Sequence, residues 1–466
     1  MALINQNQAC HQTNTIVIPL FRGQQIPQVF VESLEYSFDE DLELSSGVIN
    51  TIFTMGKMPM KKLLVVGLGD FSTATKNSIR KAMGTCVRQY NEPLCIWLDT
   101  VCNRIFDVVY GIRYALYQYK EEREYTLRYI SDNDISDKLD EAFNASTSIN
   151  HARHIANMPS NMMTPQQVVK ETLDFSKSHN ITCEVYDNES LKKMGANALL
   201  AVNQASPHPA YLICLTYNGA ADDDYTALVG KTITFDAGGY NLKKAESMRG
   251  EKLDMCGGAN VLGAFEWIVT NKAKANVMAI LSVTENCIGS NGYTCDQVIT
   301  SMSGKTIEIA NTDAEGRLIL SDALTFAQQK GAKFIIDCAT LTGAVVNALG
   351  KNYTGIFGNN QNYVDSFMNV SRMCEEKIWQ LPLDEEFIDQ VHCSDVADIV
   401  NAILGAKAGA SFAAAFLQEF IEPEVNWIHL DIAGTADIKE DNGYCAKGAT
   451  GVMVESIVRF LCKEYQ

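Results

Sequence analysis

The sequence lacks the features that announce several common classes of protein. No apolar run approaches the roughly 18 residues of a membrane span, so no membrane partner is expected. The N-terminus, MALINQNQACHQTNTIVIPLF, has no basic start followed by an apolar core and a small-residue cleavage site, so no secretory signal is expected. Cysteine occurs 14 times but never as CxxC or in a dense framework, which suits small buried thiols in a reducing, cytoplasmic setting. Positive charge is scarce: 38 Lys and Arg face 56 Asp and Glu, for a net charge of −18. That balance opposes a nucleic-acid partner, because a phosphate backbone needs a basic footprint. There are only 7 histidines and no HExxH, so carboxylates must carry most of the ligation at any metal site.

A chain of 466 residues has room for two or three domains with their own cores. KKLLVVGLGD (61–70) and LCIWLD (94–99) read as strands, and DVVYGIRYALYQYK (107–120) as a helix. VGLG lacks the third glycine of a dinucleotide loop and reads as a strand-ending turn. Around 120–145 the composition turns to charge (KEEREY, SDNDISDKLDE), a linker into the helix ASTSINHARHIANM, which stops before Pro159. We expect a boundary near residue 145, giving an N-terminal α/β domain over 1–145 and a catalytic domain over 146–466. In the second part, strands at 210–217, 225–230, 275–284, 333–341 and 427–434 alternate with helical stretches. The pattern predicts a larger α/β/α domain with a mixed, largely parallel sheet, its functional groups at strand ends.

Two segments concentrate polar residues where core is expected: VGKTITFDAGGYNLKKAESMRGEKLDMCGG (229–258) and KTIEIANTDAEGRLILSDAL (305–324). Two readings stand side by side for each residue. Asp254 fits a helix N-cap, Asp313 could cap the helix that begins near Glu315, and Glu315 favours the positive helix end. A lysine ending a strand is usually solvated. Yet Asp236, Asp254, Asp313 and Glu315 all sit at strand–helix junctions with glycines nearby. If those junctions converge, four uncompensated anions would be prohibitive, and two divalent cations would balance them.

NTDAEGR (311–317), VGKxITFDxGG followed by LK, and DMCGGA together resemble the leucyl aminopeptidase family of two-metal, cytosolic exopeptidases. The likeness extends through NMPSNMMTP (157–165), EN (285–286), ATLTGA (339–344), SDVAD (394–398) and HLDIAG (429–434), and is weaker in the N-terminal third. The resemblance implies an enzyme that removes N-terminal residues from peptides. It implies Lys231, Asp236, Asp254, Asp313 and Glu315 as ligands of two divalent cations, with Lys231 on the more exchangeable one. Zinc is the expected metal, with manganese, magnesium or cobalt accepted at the exchangeable position. It further implies Lys243 and Arg317 as catalytic groups, Arg317 facing the substrate and holding a bicarbonate as general base. Thr340, Leu341 and Gly343 fall in the implied substrate-binding segment, and a homohexamer is the implied assembly.

Several positions depart from the family's usual pattern. Ala237 stands where serine is usual, and Thr232 follows Lys231 where glycine is usual. The helix entrance reads DMCGGAN rather than DMxGAA, with Asn260 a polar residue on a face expected to be apolar. Glu251 replaces a methionine that lines the pocket for the first substrate side chain. Either Glu251 shifts preference toward basic or polar first residues, or it faces solvent or pairs with Lys252 or Arg249. Two other readings compete with the whole: a two-metal hydrolase of another class, and a regulatory or nucleic-acid-binding protein on the same fold. The first usually recruits histidines, absent near these loops, and the second is opposed by the net charge.

Overall fold

The computed structural model describes residues 3–4, 13–35, 42–90, 92–120, 127–221, 224–405 and 407–463. Residues 1–2 and 5–12 of the N-terminal segment, and 121–126 of the charged linker, lie outside the described residues. The chain divides into two units: Met1–Asn150 with Lys439–Lys447, and His151–Ile438 with Gly448–Gln466.

The first unit carries strands β1 (Leu3–Ile4), β2 (Thr15–Leu20), β3 (Ile49–Phe53), β4 (Lys62–Gly67), β5 (Leu94–Trp97) and β6 (Leu127–Ile130). Their order is β1-β6-β5-β2-β4-β3, parallel except where β3 pairs with β4. The continuous apolar runs follow from burial on both faces. Ile16, Ile18 and Leu20 join Phe30 and Trp97 in one cluster, while Val17 and Leu64 join residues of helices Lys76–Gln89 and Ile105–Leu116 in another.

The second unit is built on an eight-stranded mixed sheet. Its strands are β7 (Thr182–Tyr186), β8 (Tyr211–Asn218), β9 (Tyr225–Asp236), β10 (Asn276–Asn286), β13 (Ala332–Ala339), β14 (Thr354–Gly358), β15 (Ile378–Gln380) and β17 (Asn426–Asp431). A smaller sheet is formed by β11 (Val298–Thr300), β12 (Thr306–Glu308) and β16 (Ile399–Val400). The large sheet runs β15-β14-β17-β13-β9-β10-β8-β7, with β17, β13, β9 and β10 mutually parallel at its centre. The sequence expectation ended β9 at Gly230; the strand continues through KTITFD, because its polar residues are buried and used.

β9 shows how the layers form. Successive side chains alternate between faces. Ala227, Val229 and Ile233 share a cluster with Leu318, Ile319 and Leu320 of helix Glu315–Gln329. Gly230 and Thr232, on the other face, meet Gly258 of helix Cys256–Thr270. Thr232 therefore lies within the strand and packs against that helix. Asp236, Asn286 and Asp431 end three of the central parallel strands, and Thr340 follows the fourth. The carboxyl ends of such a sheet are where a parallel fold places its ligands. Among the described residues no helix is long and apolar enough to cross a membrane.

Candidate metal centre

Lys231 points from within β9 into the gap between two helix entrances. Its Nζ lies 2.7 Å from Asp254 Oδ1, 2.8 Å from the Thr340 carbonyl and 2.9 Å from Glu315 Oε1. Gly316 makes room for it, since a Cβ there would sit 2.6 Å from Lys231 Cε. Lys243 makes the second cationic link, with Nζ 2.8 Å from Asp236 Oδ2, 2.7 Å from Asp313 Oδ1 and 3.8 Å from Glu251 Oε2. The positive φ of Gly238 and Gly239 (86° and 62°) folds the chain back after Asp236. A Cβ at Gly238 would fall 2.8 Å from Asp313 Oδ1, so the turn requires glycine.

Neither aspartate caps a helix. Met255 is the N-cap of helix Cys256–Thr270 and Ala314 that of helix Glu315–Gln329, both without a side-chain cap. Asp254 instead accepts from Lys231 and from Thr340 Oγ1 at 2.7 Å. Two sets of carboxylates bring ligand atoms within 4.8 Å of one another: Asp236, Glu251 and Asp254, and Asp236, Asp313 and Glu315. Asp236 is common to both.

The set fits divalent cations. Asp254 Oδ2 and Glu315 Oε2 are buried and without a hydrogen-bond partner among the described residues. Burial pushes the Asp254, Asp313 and Glu315 carboxyls up, and neighbouring carboxylates add to the rise. Glu251 is likewise raised by burial, against the pull of Lys243. Burial pulls the Lys231 and Lys243 ammoniums down, yet the surrounding carboxylates outweigh it and hold both above the ordinary lysine value. Acids and bases raised together mark an excess of negative potential, which a cation relieves.

Exposure is graded across the cluster. The Lys231 side chain is 3% exposed, whereas those of Glu251 and Asp313 are 25% and 31% exposed. Lys231, which the resemblance would place on the more exchangeable cation, lies at the closed end of the cluster.

Other expected residues sit as follows. Arg317 is buried, donates from Nη1 to the Asn401 carbonyl at 2.7 Å and stacks over Phe412 with its carbon 5.6 Å from the ring centroid. Its Nε is buried without a hydrogen-bond partner among the described residues, and burial lowers its pKa to about 10. The Thr340 carbonyl accepts from Lys231, and the Leu341 amide donates to Asp431 Oδ1 at 3.1 Å. Gly343 opens helix Gly343–Leu349, and a Cβ there would meet nothing within 4 Å, so it borders open space. Among the described residues Glu251 pairs with neither Lys252 nor Arg249. It faces Lys243 and the acidic cluster, while Lys252 donates to the Asn157 carbonyl. Asn260 donates to the Val452 carbonyl at 2.9 Å, which reconciles it with its buried face.

Sequence reading missed the residues that hold the ligands in place. Asn286 Nδ2 donates to Asp236 Oδ1 at 2.8 Å and to the Thr312 carbonyl at 3.1 Å. Asn401 Oδ1 accepts from the Ala310 amide at 2.8 Å, and its Nδ2 donates to the Asn311 carbonyl at 2.7 Å, clamping NTDAEGR. Asp431 accepts from Thr342 Oγ1 at 2.7 Å. The motifs EN and HLDIAG contain Asn286 and Asp431, and that membership was the available signal.

Carboxylates gather at the carboxyl ends of parallel strands with a lysine on either side, an arrangement able to hold divalent cations. A model of the cytosol aminopeptidase family's catalytic domain matches residues 150–458, and the chain belongs to that family. Its class is therefore that of the metal-dependent aminopeptidases, which use two divalent cations. Among solved structures the chain resembles the bottromycin maturation enzyme BotP in complex with Mn, at 26% identity and a TM-score of 0.87 over 97% of this chain and 100% of that one. It also resembles BotP without that designation, at 27% identity and a TM-score of 0.86 over 97% and 99% of the two chains.

Proposed function

We propose that the protein releases N-terminal amino acids from peptides, with two divalent cations held by Lys231, Asp236, Asp254, Asp313 and Glu315. The observation that carries this reading is the pair of carboxylate sets sharing Asp236, with buried, unpartnered oxygens on Asp254 and Glu315. Two bound cations would supply polarisation of the scissile carbonyl and acidification of the attacking water. Lys231 would join them as a neutral amine, its proton displaced by the cation's field. Lys243, the more exposed lysine, donates toward the oxygen that gains charge as the carbonyl is attacked. The Thr340 and Leu341 backbone orients the peptide, and the open space at Gly343 admits it.

Arg317 Nε is a buried donor without a partner among the described residues, which suits retention of a bicarbonate as general base. The exposed Asp313 side is the position expected to exchange its metal. Zinc, manganese, magnesium and cobalt all suit such ligands, and the manganese of the BotP complex favours including it in any trial. A cytoplasmic homohexamer acting on peptides with free N-termini completes the reading, with a leucyl-type preference open to modification by Glu251. The test is a comparison of free and N-acetylated forms of the same peptides with metal-loaded protein. Hydrolysis confined to free amines supports the proposal; internal cleavage or no cleavage of either form rejects it.

A further inference from the structure

Glu251 has no counterpart among the ligands that the family resemblance supplies, yet it faces the same cluster. It opens the short 3-10 turn Glu251–Leu253, which leads directly to Asp254. Gly250, at φ 112°, sets the start of that turn, and the Asp254 amide donates to the Glu251 carbonyl at 3.3 Å. One compact element therefore delivers both carboxylates to the same side of Asp236. An oxygen from each of Glu251, Asp254 and Asp236 lies within 4.8 Å of the others.

Among the described residues no cation pairs with Glu251 at hydrogen-bond distance. Lys243 is 3.8 Å away, beyond hydrogen-bond range, and is already engaged by Asp236 and Asp313 at 2.8 and 2.7 Å. Lys252, next in sequence, is turned to the Asn157 carbonyl. A second observation points to a ligand. Asp254 is 7% exposed and spends Oδ1 on Lys231 and Thr340, while its Oδ2 is buried without a hydrogen-bond partner among the described residues. A half-buried carboxylate beside a spare buried carboxylate oxygen is destabilising unless a cation or a shared proton lies between them, and the Asp254 oxygen has lone pairs free to meet a cation.

We propose that Glu251 is a cation ligand in this chain, completing with Asp236 and Asp254 a three-carboxylate position next to the Asp236–Asp313–Glu315 position. The inference rests on the two-cation reading and deepens it. A third carboxylate makes the position harder and richer in oxygen than one lined by methionine. Carboxylate ligands suit manganese and magnesium, whereas softer or nitrogen ligands suit zinc. Glu251 thus tilts that position toward manganese.

The experiment is a calorimetric titration of metal-stripped protein with Mn²⁺ and separately with Zn²⁺, for the natural protein, Glu251→Gln and Glu251→Asp. Thermal melts of the stripped proteins check that each is folded. Glu251→Gln is expected to weaken one of the two Mn²⁺ equivalents by about tenfold or more, with a smaller change for Zn²⁺. Glu251→Asp keeps the charge but withdraws it by one methylene, and an intermediate loss is expected. Unchanged Mn²⁺ affinity in both variants overturns the proposal, and a change confined to the first-residue preference would assign Glu251 to the substrate pocket instead. The readout is independent of turnover: a natural protein that binds two cations but cleaves no peptide would reject the peptidase reading and leave this one standing.

Discussion

Thr232 fills the space that a side chain at position 258 would need. A Cβ built on Gly258 would lie 2.0 Å from Thr232 Oγ1 and 2.9 Å from Thr232 Cβ. The family pattern has glycine after the lysine and alanine in the helix entrance; this chain has threonine and glycine. The two departures are one exchange of volume between β9 and the helix that follows Asp254. Because the helix entrance carries Asp254 against Lys231, the fit also sets the spacing of the site.

Gly258→Ala is expected to destabilise the protein by about 1–3 kcal/mol through overpacking against the strand. Adding Thr232→Gly should recover most of that loss, with a coupling energy of about 1 kcal/mol or more. Urea denaturation of both single variants and the double variant measures it. Additive effects would show that the two residues do not share this space.

Asn286 fixes which oxygen of Asp236 remains available. Its amide donates to Asp236 Oδ1, leaving Oδ2 toward Lys243. Asn286→Asp replaces a donor with a repelling anion while changing little volume. We expect cation affinity and kcat/KM each to fall by about 10–100-fold, the range for residues that orient metal ligands. Full activity in the variant, measured at saturating metal and at low metal, would count against this role.

His151 gives the second unit a pH-dependent brace. Its Nδ1 lies 2.9 Å from Glu266 Oε1, and its Nε2 lies 3.6 Å from Glu171 Oε2. Burial lowers its pKa, but the two glutamates outweigh that and raise it to about 10. A raised histidine stabilises the fold fully below its unfolded value near 6.5, and the contribution is lost as pH rises through about 10. Discounting for its partly exposed side chain, His151→Gln should cost about 1–2 kcal/mol at pH 6. The difference from the natural protein should shrink steadily toward pH 10, as followed by chemical denaturation. A constant difference across that range would contradict the assignment.

The central strands and their helices were legible because continuous apolar runs leave few alternatives. The five proposed ligands were legible through contiguous motifs. The end of β9 was not, since a lysine after an apolar run reads as a solvated strand end until its buried partners are known. Nor was the orientation of Glu251 or the burial of Arg317. Both depend on which surface meets which, and Arg317 is held by Asn401, 84 residues away. Asn401 clamps the NTDAEGR loop from about 90 residues downstream, and such long-range polar pairing leaves no local pattern.

Asp236 is the one carboxylate common to both ligand sets, so cation stoichiometry tests the two-metal centre most directly. The measurement is equilibrium binding of Mn²⁺ to the chelator-stripped protein, with aminopeptidase activity followed at each addition. Two equivalents per chain are expected for the natural protein, with activity restored in step, and Asp236→Asn should lose both equivalents and the activity. A single equivalent in the natural protein, or two retained by Asp236→Asn, would contradict the shared two-metal site.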